Sequence, residues 1–398
     1  MKIVFTGGGS GGHIFPLIAV VREIKSLYIQ TRIEDNLNVF AEAKGSNNPK
    51  DPLRESLDLY YLGPRDEFGL ILLAQEGVKT REVSTGKIRR YFDWQSFFEN
   101  AIDIFFKMPF GVLQSFFYLF FIAPDLIFSK GGYGSFPIVI AGWVLRIPIF
   151  LHESDADAGL SNLLLSKFAK KILISFPKTE RLPPSKSILV GNPIRKEILQ
   201  GTLKKAKEIF KLTGEKPVVL ILGGSQGAQP INDMILTILP KLLQDYEILH
   251  QVGEKNFAKY LPEVNITISK EIKKYYHPVA FFREQELKHV LAAADLVVAR
   301  AGSGTLFEIA AVGKPSVIMP LPDSAQGHQL KNAYAYAASG AAIVLEQNNT
   351  TPNFFLEKLK YLFSHPNDLE KMRQATSGFS NPEAGKNIAR IIFNSLKT

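Results

Sequence analysis

Four glycine clusters, each between an apolar run of strand type and a helical pattern, constrain the fold of this chain most. They are GGGSGGH at 7–13, KGGYGS at 130–135, GGSQGA at 223–228 and RAGSGTLFE at 300–308. Glycine permits positive φ and close approach of the backbone to a ligand, and a helix N-terminus supplies unpaired N–H groups. One such loop is typical of a tight turn, whereas four at carboxyl ends of strands favour a phosphate or diphosphate site.

Strand and helix patterns alternate along the whole chain. Apolar runs of strand type occur at 2–6, 125–129, 147–153 and 171–176, and PVVLILGG, EILHQVG, DLVVARAG and PSVIMPL repeat the pattern in the second half. Continuous apolar strands joined by short helical segments predict parallel sheets with helices on both faces. Because 398 residues exceed what one hydrophobic core usually supports, two domains are expected.

The alternation breaks once, near VGNPIRKEIL at 190–199, after a proline-rich segment and before a charged amphipathic one. We place the boundary there, with one α/β domain over 1–190 and a second over 191–379. The helical pattern within 380–398 is expected to pack back on the first domain. Residues 45–95 are the hardest part to interpret, and no strand or helix is predicted there.

Composition and charge limit the class of partner. The chain has no cysteine, which excludes disulfides and thiolate-ligated zinc. Its net charge of +9 favours an anionic partner, namely nucleic acid, an anionic membrane or a phosphorylated substrate. Nucleic acid is not expected, because no RNA-binding motif or helix-turn-helix signature accompanies the charge. The start MKIVF leads straight into a glycine loop, so a secreted protein is not expected either.

An aromatic stretch, FFKMPFGVLQSFFYLFFIA at 105–123, approaches the roughly 20 residues of a membrane span. Lys107, Pro109 and Gln114 interrupt it, so a buried or interfacial helix is expected instead. Just before it, KIRRYFDWQSFF at 87–98 mixes cations with large aromatics. This mixture predicts contact with an anionic membrane surface, and the alternative is that the aromatics fill the core.

The first glycine cluster formally fits the dinucleotide fingerprint G-x-G-x-x-G through Gly7, Gly9 and Gly12. That interpretation also needs an acidic residue at the end of the second strand, and Glu34 and Asp35 are expected in a polar loop instead. No Walker lysine follows either, which weakens the ATPase alternative. The remaining interpretation is that this loop binds another phosphate-bearing ligand.

Several motifs, taken in chain order, together resemble one family. They are GGGSGGHIFP, SKGGYGSFP, IPIFLHE, VGNPIR, GGSQGA, HQVG and RAGSGTLFEIAAVGKPSVIMPLP followed by HQLKNA. The family is that of the peripheral membrane N-acetylglucosaminyltransferases of peptidoglycan synthesis, in glycosyltransferase family 28. The resemblance covers nearly the whole chain and is weakest between residues 30 and 85.

The resemblance implies an α/β protein with two Rossmann-like, doubly wound domains facing across a cleft, the GT-B glycosyltransferase fold. It implies inverting transfer of N-acetylglucosamine from UDP-N-acetylglucosamine to the muramoyl 4-hydroxyl of undecaprenyl-diphospho-N-acetylmuramoyl-pentapeptide. The expected location is the cytoplasmic face of the plasma membrane, on an anionic surface. No cofactor and no metal are expected.

In the family, the UDP-sugar donor lies against the C-terminal half. The resemblance places Ser225 at a donor phosphate and Arg195 at the diphosphate, with a linker salt bridge as the alternative for Arg195. It places Glu308 on the ribose hydroxyls, where a carboxylate offers only acceptors. Further donor contacts are implied at Phe282, Gly304, Thr305 and Gln329.

The N-terminal half is expected to hold the acceptor. Its diphosphate is expected at Gly9, Gly12, Gly131, Gly132 and Tyr133, and further donor contacts are implied at Ser10, Gly11, Gly12, Asp155 and Asn162. His13, at the helix entrance, is a candidate base for the acceptor hydroxyl, and the alternative is that it orients the loop.

One departure concerns HESD at 152–155, where the family usually has HEQN. Asp155 accepts hydrogen bonds but donates no amide N–H, and it is a second candidate base. Asp155 and Asp157 also form a D-x-D, which elsewhere holds a metal, and we interpret it as incidental or as helix capping.

Two other functions remain open. One is a related UDP-sugar-dependent glycosyltransferase that acts on another lipid or a small aglycone. The other is a non-enzymatic, nucleotide-binding subunit, against which the presence of Arg195 and Glu308 argues.

Overall fold

The computed structural model describes residues 1–8, 11–42, 56–86, 94–224, 227–322, 324 and 327–397. It divides into two compact units. The N-terminal unit comprises Met1–Pro193 and Glu383–Thr398, and the C-terminal unit comprises Ile194–Pro382. Each unit is built on one parallel β-sheet, as the apolar runs predict.

The sheet of the N-terminal unit has the strand order β3-β2-β1-β4-β5-β6-β7. The strands are β1 (Lys2–Thr6), β2 (Asp58–Gly63), β3 (Lys79–Glu82), β4 (Leu126–Ser129), β5 (Ile149–Glu153), β6 (Lys171–Ile174) and β7 (Ser187–Leu189). Its first helices are α1 (Gly11–Glu42), α2 (Glu67–Gln75), α3 (Trp94–Ile102), α4 (Met108–Ile122), α5 (Phe136–Val144) and α6 (Leu160–Leu165). All its strand pairs are parallel, with Ile3 opposite Leu59 of β2 and Leu126 of β4.

The C-terminal unit repeats this plan with the strand order β10-β9-β8-β11-β12-β13, again in parallel. The strands are β8 (Val218–Leu222), β9 (Glu247–Gln251), β10 (Tyr276–Val279), β11 (Leu296–Ala299), β12 (Ser316–Ile318) and β13 (Ala342–Val344). The helices are α7 (Leu203–Phe210), α8 (Gln229–Asp245), α9 (Glu254–Thr267), α10 (Glu284–Ala293), α11 (Ser303–Ala311), α12 (His328–Ala337), α13 (Pro352–Ser364) and α14 (Pro366–Ala375).

Alternate residues of a central strand serve two hydrophobic cores, one on each face of the sheet. In β1, Ile3 and Phe5 join a cluster with α1, while Val4 joins a cluster with α5. The last helix, α15 (Ala384–Lys397), belongs to the first of these clusters through Ile388 and Ile392. The C-terminal end of the chain is therefore part of the N-terminal unit.

The aromatic stretch at 105–123 forms the end of a π-helical segment, Asp103–Lys107, and the whole of α4, and α3 leads directly into that segment. By length and composition alone, Phe97–Ile122 qualifies as a membrane span, and only 17% of its most apolar window is buried. Phe121 is 79% exposed and Phe105 73% exposed. Of the two expected alternatives, a buried helix is therefore wrong, and an interfacial helix stays a prediction. Residues 87–93, which carry most of the basic part, lie outside the described residues.

The order of the strands determines where a ligand fits. In each unit the strand order reverses between two neighbours, β1 and β4 in one and β8 and β11 in the other. Ligands of open α/β sheets bind outside the carboxyl ends of the strands at such a point. All four glycine clusters follow one of these four strands, so each unit has two glycine loops at its ligand-binding edge.

Candidate functional site

His13 lies in the first turn of α1, between two glycine loops of the N-terminal unit. A Cβ added at Gly8 would lie 3.2 Å from His13 Nδ1, and one added at Gly132 would lie 3.2 Å from His13 Nε2. The imidazole therefore fills the space between the loops that follow β1 and β4. Burial lowers the pKa of His13 to about 4, helped by the charge of Lys130 and opposed by that of Asp155. The ring is neutral at pH 7 and can accept a proton.

The loop after β4 begins with Lys130, a buried residue that the sequence did not single out. Its Nζ lies 2.6 Å from His152 Nδ1 and 3.1 Å from Asn192 Oδ1, and it also donates to Ser154 Oγ. The other ring nitrogen of His152 lies 3.2 Å from the carbonyl oxygen of Gly191. His152 Nε2 therefore carries the proton, and Nδ1 accepts from the lysine.

The glycines after Lys130 have conformations that favour glycine. Gly131 and Gly132 have φ of +80° and +82°. A Cβ at Gly131 would lie 2.5 Å from Asn162 Oδ1, and one at Gly132 would lie 3.0 Å from the backbone of Gly8. Tyr133 follows in a short 3₁₀ turn, partly buried. Gly12 is exposed at the start of α1, beside Gly11, whereas Gly9 and Ser10 lie outside the described residues.

The end of β5 supplies a buried carboxylate, Glu153, which organises the loop that follows. Its Oε1 accepts from the amide of Asp155 at 3.0 Å, and its Oε2 accepts from the amide of Gly159 at 3.0 Å and from Asn162 Nδ2 at 2.9 Å. Burial raises the pKa of Glu153, and the charge of Asp155 raises it further. Asp155 itself is partly buried.

Asn162 points its remaining polar atom toward the glycine loop. Its Nδ2 donates to Glu153 and to the carbonyl oxygen of His152 at 3.2 Å, which defines the orientation of the amide. Oδ1 is buried and makes no hydrogen bond within the described part of the chain.

The two carboxylates of the D-x-D pattern have different surroundings. Asp157 Oδ1 pairs with Arg181 Nη2 at 2.5 Å, whereas Asp155 lies beside Glu153.

In the C-terminal unit, the two loops at the ligand-binding edge follow β8 and β11. Among the described residues, a Cβ added at Gly224 would meet no atom within 4 Å, and the same is true at Gly304 in the first turn of α11. Thr305, the next residue, is partly buried. Ser225 lies outside the described residues. No described atom crowds Gly304 in the first turn of α11, and the N–H groups of a helix N-terminus favour an anion.

Arg195 and Glu308, which sequence reasoning assigned to different parts of the donor, contact each other. Arg195 Nε and Nη2 donate to Glu308 Oε1 at 3.0 and 2.8 Å. Arg195 Nη1 lies 4.0 Å from Glu284 Oε2 on α10. Burial raises the pKa of Glu308, and its pairing with Arg195 opposes that shift.

Gln251, at the end of β9, forms hydrogen bonds to two different loops. It was not predicted as a site residue. Its Nε2 donates to the carbonyl oxygen of Gly224 at 2.8 Å, and its Oε1 accepts from the amide of Phe282 at 3.2 Å. The side chain of Phe282 is buried against Phe210. Gln329 Oε1 accepts from the amide of Leu321 at 3.0 Å.

The predicted residues that the structure describes divide between the two units. His13, Gly12, the Gly131–Tyr133 loop, Asp155 and Asn162 belong to the N-terminal unit, and Arg195, Phe282, Gly304, Thr305, Glu308 and Gln329 belong to the C-terminal unit. Lys130 and Gln251 are additions from the structure. The SKGG and HQVG motifs contain them, but sequence alone does not show that either is buried.

Comparison with known proteins identifies the family. The models of the glycosyltransferase family 28 N-terminal and C-terminal domains match residues 54–174 and 218–388. Two UDP-N-acetylglucosamine--N-acetylmuramyl-(pentapeptide) pyrophosphoryl-undecaprenol N-acetylglucosamine transferases are similar over their full length. The one from Bacillus cereus is 35% identical and covers 98% of this chain and 99% of its own. The one from Treponema denticola is 35% identical and covers 100% and 97%.

A solved structure shares the fold. MurG from Acinetobacter baumannii superimposes with a TM-score of 0.69 at 22% identity, over 99% of each chain. The predicted fold class of two parallel α/β domains and the resemblance drawn from the motifs are both confirmed. The chain belongs to glycosyltransferase family 28, among the N-acetylglucosamine transferases that act on N-acetylmuramyl-(pentapeptide) pyrophosphoryl-undecaprenol.

Proposed function

We propose that this chain transfers N-acetylglucosamine from UDP-N-acetylglucosamine to the muramoyl 4-hydroxyl of undecaprenyl-diphospho-N-acetylmuramoyl-pentapeptide, with inversion at the anomeric carbon. The observation that carries the proposal is the ion pair between Arg195, which precedes α7, and Glu308 of α11. A Cβ added at Gly304, in the first turn of α11, would meet no described atom within 4 Å. A sugar nucleotide needs a cation and amides for its diphosphate and a carboxylate for its ribose diol. The C-terminal unit presents all three next to one another.

The donor side stabilises the leaving group. As the bond between the anomeric carbon and the diphosphate oxygen breaks, negative charge develops on the departing UDP. The N–H groups of α11 and the guanidinium of Arg195 favour that charge, since fixed donors aimed at developing charge lower the barrier. Glu308 Oε2 has no hydrogen bond within the described residues, and it is the oxygen proposed to accept a ribose hydroxyl.

The acceptor side supplies the base. We assign His13 to accept the proton of the muramoyl hydroxyl as its oxygen bonds to the anomeric carbon, because the ring is neutral at pH 7 and lies between the glycine loops. The charge of Asp155 raises the pKa of His13, so it stabilises the imidazolium that forms. The acceptor diphosphate is proposed to lie on the loop at Gly131 and Gly132.

The acceptor is lipid-linked, and α3 and α4 offer a surface for its membrane. Trp94, Phe105, Phe106 and Phe121 are each more than 70% exposed. Exposed aromatics insert at the boundary of the acyl chains, and a net charge of +9 favours anionic headgroups. We propose that this unit docks on the anionic surface of the plasma membrane from the cytoplasmic side.

The test supplies the purified chain with UDP-N-acetylglucosamine and the lipid-linked muramoyl-pentapeptide diphosphate in vesicles, and follows UDP release. Diacylglycerol and a soluble aglycone serve as matched acceptors. Turnover with the muramoyl lipid, and with neither of the other two acceptors, supports the proposal. Donor binding with turnover on diacylglycerol or the aglycone, and none on the muramoyl lipid, supports the related glycosyltransferase instead.

A further inference from the structure

Lys130 is a buried, fully hydrogen-bonded cation that the proposed chemistry does not use. It is 3% exposed. Its ammonium has three N–H donors, and three acceptors face it, on His152, Ser154 and Asn192. These acceptors come from the end of β5, the segment after it and the segment after β7. The protein thus uses all the donor capacity of the lysine and leaves none for a ligand.

Negative charge surrounds this cation. The groups that face it are His13 on α1, His152 and Glu153 on β5, and Asp155 in the segment after β5. Burial holds both histidines neutral, because it lowers their pKa. The carboxylates of Glu153 and Asp155 favour the charged form of Lys130, against the effect of burial, which lowers its pKa to about 7. The positive charge that Lys130 carries below about pH 7 stands against two carboxylates.

A bound diphosphate would add further negative charge to this cluster. Gly131 and Gly132, proposed to hold the acceptor diphosphate, are the next two residues after Lys130. Like charges close together in a desolvated site force one group to take up a proton. A positive charge beside the carboxylates of Glu153 and Asp155 offsets their repulsion of a diphosphate.

We propose that Lys130 is a positioning residue for the acceptor half of the reaction, whose buried positive charge offsets the negative charge of Glu153 and Asp155 while the acceptor diphosphate is bound. The inference rests on the proposed function and extends it to a residue that touches neither substrate. Its role is electrostatic, and it acts through Asp155 and the Gly131–Gly132 loop.

The central experiment compares K130M with K170M, which removes the same charge from an exposed site in the same unit. K130M is expected to raise the KM for the lipid acceptor about tenfold or more, the effect of about one pKa unit of lost charge interaction. The KM for UDP-N-acetylglucosamine is expected to stay within about twofold in both variants. Without the charge of Lys130 the pKa values of His13 and Glu153 should rise, so kcat/KM for the acceptor should begin to fall at a higher pH on the acid side of its pH profile.

Chemical rescue separates charge from packing. The chain has no cysteine, so K130C carries the only thiol. Alkylation of unfolded K130C with 2-bromoethylamine, followed by refolding, restores an ammonium on a side chain of nearly the same length. The KM for the lipid acceptor and the pH profile of kcat/KM should then return toward wild type. Alkylation with iodoacetamide, which adds no charge, should restore neither.

An NMR titration of Lys130 itself tests the inference even if K130M does not fold. In wild type labelled with ¹³C at lysine Cε, the Lys130 signal reports its protonation, and D155N should lower the pKa of Lys130. An unchanged pKa in D155N, or a folded K130M with wild-type acceptor KM and pH profile, overturns the inference. Failure of the proposed function is distinct, because wild type itself would then show no turnover with the muramoyl lipid.

Discussion

Arg195 donates two hydrogen bonds to a single carboxylate oxygen of Glu308, from Nε at 3.0 Å and from Nη2 at 2.8 Å. The salt bridge that was the alternative to a donor role for Arg195 thus exists, and its partner, Glu308, is itself one of the residues assigned to the donor. The two interpretations are compatible. A guanidinium held on one oxygen stays in place for a diphosphate, while the second oxygen of Glu308 remains available to a ribose.

The first prediction concerns this pair. E308Q keeps the shape of the side chain and removes its charge, so the ribose hydroxyls lose a charged acceptor and Arg195 loses its anchor. The KM for UDP-N-acetylglucosamine should rise at least about tenfold, since a hydrogen bond to a charged group contributes ~1.5–3 kcal/mol. The KM for the lipid acceptor should change little. Steady-state kinetics with each substrate varied in turn measures both.

E357Q is the matched control for E308Q, because Glu357 is exposed on α13 of the same unit. It should leave both KM values at the wild-type level. Equal increases of donor and acceptor KM in E308Q would contradict a role in donor binding and indicate a general loss of folded enzyme.

The second prediction concerns the base. H13Q removes the proton acceptor between the glycine loops, and general-base catalysis contributes about 10²–10⁴-fold. H13Q should lower kcat by about that factor, while the dissociation constant for UDP-N-acetylglucosamine, measured by calorimetry, stays within about twofold. D155N should lower kcat less, because Asp155 stabilises the charge that forms on His13 and does not itself take the proton.

H365Q, at an exposed histidine of the C-terminal unit, serves as the control and should retain wild-type kcat. A larger loss of kcat in D155N than in H13Q, with donor binding intact in both, would reverse the two roles. Asp155 would then be the base and His13 the residue that orients the loop.

The third prediction concerns the membrane surface on α3 and α4. F105S/F106S removes two rings that are 73% and 72% exposed. Binding to phosphatidylglycerol vesicles in a flotation assay should weaken at least about tenfold, since burying a phenyl ring contributes ~1.5 kcal/mol or more. UDP release with a short-chain acceptor in solution should remain near wild type.

The control for the membrane variant is F354S/Y361S, which removes two half-exposed aromatics from α13 of the C-terminal unit. Its vesicle binding should equal that of wild type. If both double variants lose binding equally, adhesion is not specific to α3 and α4, and the proposed docking surface is wrong.

The central strands were predictable because they are buried on both faces. KIVFT and VVLIL show continuous apolar runs for that reason, and the structure has them as β1 and β8. β3, with the sequence KTRE, was missed because an edge strand pairs on one side only and keeps polar side chains. β10 contains Pro278, which also marks an edge and hides the strand pattern.

The candidate site shows the same division between local and long-range causes. Glycine loops can be recognised in the sequence because a positive φ, as at Gly131 and Gly132, strongly favours glycine. Lys130 was missed because nothing local distinguishes a buried lysine from an exposed one. Its burial arises from His152 and Asn192, which approach from 22 and 62 residues away.

The last prediction concerns acid stability and a histidine far from the proposed chemistry. His250 in β9 is fully buried, and its Nδ1 lies 2.8 Å from the hydroxyl of Tyr276. Burial lowers the pKa of His250 to about 3, while in the unfolded chain it is about 6.5. Below pH 6.5 His250 therefore binds a proton in the unfolded chain but not in the folded chain, until the pH nears 3. The free energy of unfolding should fall by about 1.4 kcal/mol per pH unit from this group alone, until the pH nears 3.

Native-state hydrogen exchange of the β8 amides, corrected for intrinsic rates at each pH, reports this free energy for the C-terminal unit. Between pH 6 and pH 4, H250Q should be less pH-sensitive than wild type by about that slope, even if it is less stable at pH 7. H365Q, exposed in the same unit, should keep the wild-type slope. Parallel pH profiles for H250Q and wild type would mean that His250 takes up its proton in the folded state, and that burial does not hold it neutral.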